Sequence, residues 1–137
     1  IGLHDRTCIE FLQLHGLESG AALHALGEAI DWRKNRFQPK FEQSVIAFSL
    51  DDFIERFGAP LPNHIKLDVD GNEDKIIRGG RRTFSSPAVK SLLIEINEND
   101  RALIELIESC GLKLAHKTLL AMQGDTHDMY NTVFVRK

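Results

Sequence analysis

The side chains in this sequence best suited to chemistry are carboxylates and an amide: Asp68, Asp70, Asn72 and Glu73 in one short stretch, with Glu95 further on. Carboxylates placed at a site can orient a hydroxyl, take its proton, or hold polar groups of a ligand. A run of oxygen donors can also hold a hard cation, but the calcium-loop spacing is missing and a strand pattern precedes the run where a helix would be needed. His4, His15, His24, His64, His116 and His127 show no paired ligand spacing, so no metal is expected. The plainer alternative is that the acidic stretch only turns the chain and caps a helix, as short Asp, Asn and Gly runs do in every fold.

Other chemistries find less support. Cys8 and Cys110 lie far apart with no identifiable base, and Cys110 falls on an apolar helical face, so both read as reduced, buried thiols. No Gly-x-Ser-x-Gly elbow occurs. Gly16, Gly20 and Gly27 are irregularly spaced and lack the strand-turn-helix setting of a phosphate loop. Arg33, Lys34, Arg36 and Lys40 beside Trp32 and Phe37 could hold an anion and stack a ring, or form a solvated loop around a packed aromatic.

The elements that must position the carboxylates follow from periodicity. Ile65, Leu67 and Val69 alternate with polar residues up to Gly71, after which Ile76, Ile77 and Gly80 mark the buried face of a helix starting near Asn72 or Glu73. A strand running into a loop and then a helix presents Asp68, Asp70 and Glu73 at the carboxyl edge of a sheet, where open α/β folds bind ligands. Upstream, Ser49-Leu50-Asp51-Asp52 reads as a capping box, opening a helix with Leu50, Phe53, Ile54 and Phe57 on one stripe and Gly58 as its left-handed end. Pro60 and Pro62 then enforce an extended link. The pair Gly79-Gly80, costly within a helix, predicts close packing or an early helix end.

Residues 90–96 form a nearly continuous apolar strand, the pattern of a strand covered on both faces, with Glu95 as its anomaly near the tip. Asn97 and Asp100 offer a cap for the helix carrying Leu103, Ile104, Leu106, Ile107 and Cys110, and Gly111 ends it. Residues 112–116 and 130–136 read as a closing antiparallel pair. Near the start, residues 7–14 read as a strand, half of a hairpin, residues 16–27 as a loop with at most a short helical piece, and residues 43–48 as a strand. The fold class is therefore α/β, with a parallel strand-helix-strand core in one sheet.

Composition sets the bounds. The 137 residues suit one domain or part of one, and a hydrophobic content of 42% argues for a packed core. The net charge of −3 gives no broad positive face, so nucleic acid is not an expected partner. No apolar run has membrane-spanning length. Reduced thiols and the absence of a secretory pattern point to the cytoplasm.

Taken together, Ser49-Leu50-Asp51-Asp52-Phe53, Ile65-Lys66-Leu67-Asp68-Val69-Asp70-Gly71-Asn72-Glu73, Ile77-Arg78-Gly79-Gly80, Leu93-Ile94-Glu95-Ile96 and Tyr130-Asn131-Thr132-Val133-Phe134 resemble the second half of the FkbM-type methyltransferase family. That resemblance implies a Rossmann-like methyltransferase fold, S-adenosylmethionine as cofactor, and methylation of a hydroxyl on a sugar or other small metabolite. It places the family's aspartate at the end of the fourth strand on Asp68, the acidic position two residues on at Asp70, the helix-start acid at Glu73, and the acid ending the next strand at Glu95. Asp70 departs from the glutamate common in the family, keeping the charge with a shorter reach.

The family's glycine-rich cofactor loop and the ribose-holding acid after its second strand have no counterparts, and Ile1-Gly2-Leu3 resembles the strand that follows them. Residues 1–137 are thus expected to be the carboxyl-terminal part of a single Rossmann-like domain, completed by its amino-terminal half or self-associating through exposed edges. A noncatalytic binding domain on the same scaffold is the competing expectation. A small domain with a phosphate-binding basic loop near residues 33–40 is a third.

Overall fold

The computed structural model describes residues 1–18, 24–30, 35–69, 71–97, 99–119 and 129–137. The fold is mixed α/β with open sheets, and it divides into two compact units: Ile1–Gly58 with Val69–Gly80, and Ala59–Asp68 with Arg81–Lys137.

In the first unit, strands β1 (Gly2–Leu3), β2 (Cys8–Leu14), β3 (Ala25–Leu26) and β4 (Phe41–Phe48) form a sheet of order β1-β4-β2-β3. β2 runs antiparallel to β4, pairing Cys8 with Ala47 through to Leu14 with Phe41, and β1 is parallel to β4. The strand expected over residues 7–14 is therefore paired on both sides. Residues 25 and 26 form a short strand against Leu12 and Gln13, not the end of a helical piece. Branched and aromatic side chains at Ile9, Phe11 and Ile46 favour extended backbone but leave Ile9, Phe11 and Ile46 exposed.

Helix α1 (Leu50–Phe57) starts where the Ser49 hydroxyl accepts from the Asp52 amide at 3.1 Å, and Gly58 ends it at φ 61°. The expected reciprocal half of the capping box is routed through Thr7: its hydroxyl donates to Asp52 Oδ2 at 2.6 Å and accepts from the Ser49 amide at 3.4 Å. Tertiary packing has substituted a long-range donor for a local one. Phe48, Phe53 and Phe57 make a tilted and edge-on aromatic cluster. Helix α2 (Glu73–Gly79) buries Ile76, Ile77 and Gly79, and it packs so closely that a Cβ on Gly79 would meet the His4 carbonyl. The glycine pair thus marks both the close approach and the helix end.

In the second unit, β5 (His64–Leu67), β6 (Ser91–Asn97), β7 (Leu112–Leu119) and β8 (Met129–Arg136) form a sheet of order β5-β6-β8-β7. β5 and β6 are parallel, while β8 is antiparallel to both neighbours. The single expected sheet is thus realised as two hydrogen-bonded sheets, because β2 and β4 pair with each other on one edge and with β3 and β1 on the other, so their backbone groups are met within the first sheet. Helix α3 (Arg81–Ser85) is a short extra element, and α4 (Arg101–Ser109) is capped by Asp100, whose carboxylate accepts from the Leu103 amide at 3.1 Å.

The core of this unit contains Leu92, Ile94, Ile107, Leu112 and Phe134. Along β6, Leu92, Ile94 and Ile96 are buried while Ser91, Leu93 and Glu95 are half-buried, so the strand alternates where covering on both faces was expected. Cys110 is buried as expected, but Cys8 is half-exposed, and neither forms a disulfide. Arg136 ties the unit together: its guanidinium donates to the carbonyls of Phe84, Val89 and Cys110.

Candidate functional site

The carboxyl end of β5 is built by alternation. Lys66 and Asp68 point to the same face of the strand because side chains repeat every two residues. The Lys66 ammonium donates to Asp68 Oδ2 at 2.7 Å, with the Asp68 side chain 52% exposed. That hydrogen bond and the Asp68 charge, helped by the charge of Glu95, hold the Lys66 ammonium above the usual lysine range.

β6 contributes Glu95. Leu67 pairs with Ile94, so the next residue of each parallel chain is Asp68 on one side and Glu95 on the other. The register brings Asp68, Glu95 and Lys66 onto one face of the second unit. Lys66 was not singled out by its type, and only its i, i+2 spacing from Asp68 in a strand could have pointed to it.

Glu73 lies in the first unit as the first residue of α2, and its carboxylate accepts from the Gly71 amide at 3.3 Å. Gly71 takes φ 103°, which a side chain would strain. Asn72 occupies the cap position without a side-chain cap bond, because its amide instead donates to the Leu26 carbonyl at 3.1 Å. The turn and helix-start reading therefore accounts for Glu73 and Asn72. Asp70 lies outside the described residues.

Of the basic loop, Arg33 and Lys34 lie outside the described residues with Trp32, while Arg36 faces Glu28 at 3.8 Å and Lys40 faces Glu18 at 3.4 Å. Both pairs are exposed, the setting of a solvated loop in which such contacts contribute little. Among the described residues no group of three His, Cys, Asp or Glu side chains could hold a metal, and no helix is long and apolar enough to cross a membrane.

With this geometry in view, comparison with known families decides the assignment. Residues 1–114 match the methyltransferase FkbM domain. The chain belongs to the FkbM methyltransferase family. No curated protein matches it, and no solved structure does. The matched region includes β5, α2, β6 and α4, and hence Asp68, Glu73 and Glu95.

Family membership implies S-adenosylmethionine, and the described residues can be tested against it. S-adenosylmethionine carries no phosphate, so it needs a glycine-bearing turn between a strand and a helix that lets the backbone approach closely, and an acid for its ribose hydroxyls. The positive-φ glycines are used otherwise: Gly58 and Gly111 end helices, Gly27 follows β3, and the Gly71 amide is taken by Glu73. These residues do not fit a complete cofactor site. What they do form is a carboxylate edge suited to hydroxyl groups.

Proposed function

We propose that the protein containing this chain transfers a methyl group from S-adenosylmethionine to a hydroxyl of a sugar or other small metabolite. The observation carrying this reading is the FkbM domain match over residues 1–114. The placement of Asp68 just beyond β5 and of Glu95 near the end of the parallel neighbour β6 is in keeping with it. This chain is the carboxyl-terminal part of a Rossmann-like domain, and the cofactor is held chiefly by elements outside it.

In this reading Asp68 orients the acceptor hydroxyl and accepts its proton, using the carboxylate oxygen that Lys66 leaves free. Glu95 is a second hydroxyl acceptor, Glu73 shapes the start of α2, and Asp70 is a further acidic candidate from the family resemblance. β5 is paired only with β6 among the described residues, and an unpaired strand edge supports completion by an amino-terminal half or by a second copy. The protein works in the cytoplasm.

The test is the intact mass and amino-terminal sequence of the source protein, with calorimetric titration of S-adenosylmethionine in the same preparation. A longer protein that binds the cofactor, and loses methyl transfer at least tenfold in Asp68→Asn, supports the reading. Unchanged transfer and affinity in Asp68→Asn would remove Asp68 from the site. The incomplete cofactor fit favours one second reading, a noncatalytic binding domain on this scaffold. An intact protein beginning at Ile1 with no cofactor binding would establish it.

A further inference from the structure

The pairing of β2 with β4 sorts their side chains onto two faces, and the larger apolar ones lie on the open face. One face carries Ala47, fully buried, with Cys8, Leu12 and Val45 half-buried. The other carries Ile9, 74% exposed, opposite Ile46, 55% exposed, and beside them Phe11, 47% exposed, opposite Ser44. A slip of one residue would turn these side chains inward, so the unbroken register from Cys8 with Ala47 to Leu14 with Phe41 holds them outside. The next pair along this face is polar, with Gln13 buried and Glu42 exposed.

The apolar surface continues onto α1, which has an apolar stripe yet buries none of its residues. Ile46 and Phe48 share a face by the two-residue period, and the Phe48 ring meets the Phe57 ring at 5.5 Å, with Phe57 62% exposed. At about 200 Å² for each fully exposed large side chain, Ile9, Phe11, Ile46 and Phe57 present roughly 450 Å² of apolar surface. A patch of that size is in the range that marks interaction sites. Interfaces are about 60% apolar, so this patch is the centre of a contact of roughly 750 Å² per partner, the area of a standard stable complex.

We propose that this face of the first unit is the contact between two copies of the protein in a two-fold dimer. Its shape suits a second copy, because Phe11 is paired with Ser44, a large side chain beside a small one. A two-fold axis along the strands, between β2 and β4, seats each Phe11 over the partner's Ser44 and each Ile9 over the partner's Ile46. The same contacts are then made twice, as inner faces of sheets about 10 Å apart interdigitate. Neither of these two rows contains a charge to be desolvated or repelled. Glu42 beside the patch and a net charge of −3 set it against a lipid surface. The inference is independent of the methyl-transfer reading.

The experiment is sedimentation velocity on the full-length protein up to about 100 μM, with circular dichroism of every variant. The expected result is a monomer–dimer equilibrium with a dissociation constant on the order of 10 μM or tighter. Ile9→Lys and Ile46→Lys should each weaken it at least about tenfold while keeping the native circular dichroism, and Ile46→Leu should leave it unchanged. A full-length protein that stays monomeric overturns the proposal, and so does a dimer that both lysine variants leave at full affinity. Lysine variants that lose the native circular dichroism overturn it as well, because the face is then covered within one chain. Titration of S-adenosylmethionine into the same samples keeps the readings apart: a monomer that binds the cofactor refutes only the dimer.

Discussion

Removing the Arg136 guanidinium should cost the protein about 3 kcal/mol. Arg136 sits near the end of β8, half-buried, and has no carboxylate partner among the described residues. Its Nε donates to the Val89 carbonyl at 2.9 Å, and its terminal nitrogens reach Phe84 and, at 3.2 Å, Cys110. The contact to Gly111 at 3.5 Å is too long to count. Hydrogen bonds to a charged group contribute about 1.5–3 kcal/mol each, and halving this for water reaching a half-buried site leaves about 3 kcal/mol for three of them. The positive charge at the end of α4 adds about 0.5 kcal/mol through the helix dipole. Arg136→Met keeps the stem and deletes every donor, so urea unfolding should show the loss at unchanged m, with a fall in melting temperature of about 10 °C. Arg136→Lys should recover about a third, because one ammonium cannot fork to three carbonyls. A loss below about 1 kcal/mol in Arg136→Met would refute the argument.

Other perturbations separate local from tertiary causes. Gly79→Ala places a Cβ against the His4 carbonyl and 2.9 Å from Asp5 Cα, both backbone, so destabilisation of about 3 kcal/mol is expected by denaturant titration. Gly58→Ala meets nothing within 4 Å and should cost only the left-handed backbone penalty at φ 61°, about 1 kcal/mol. Ser49→Ala removes the cap on α1 and should cost about 1 kcal/mol, read from the same titration. Asp68→Asn should lower the Lys66 ammonium toward the ordinary lysine value of 10.5, followed by NMR of the lysine side chain. Because the folded value is raised, the pair contributes at neutral pH and its contribution disappears as pH climbs through the Lys66 titration in the alkaline range.

Much of the chain was legible locally. The caps at Ser49 and Asp100, the helix ends at Gly58 and Gly111 and the strand holding Ile65 and Leu67 all depend on neighbours within a few residues. Local signals also placed Asp68 at a strand end and Glu73 at a helix start. Other features were beyond them. Thr7 completes the cap at Ser49 from far away in sequence, and Asn72 spends its amide on Leu26 instead of its own helix. The strand at residues 25–26 is too short to show a period, and it exists because β2 has an edge to fill.

The sequence by itself determined where the carboxylates sit on their elements, since the two-residue period of a strand and the cap chemistry of a helix are properties of the local backbone. Which carboxylates share a surface was decided by strand register, a set of hydrogen bonds between distant segments. Register puts Leu67 opposite Ile94, and so Asp68 and Glu95 at neighbouring strand ends, while Glu73 belongs to the other unit. Strand order and register depend on which backbone edges remain unpaired once every segment has folded, and no local pattern in the sequence encodes that choice.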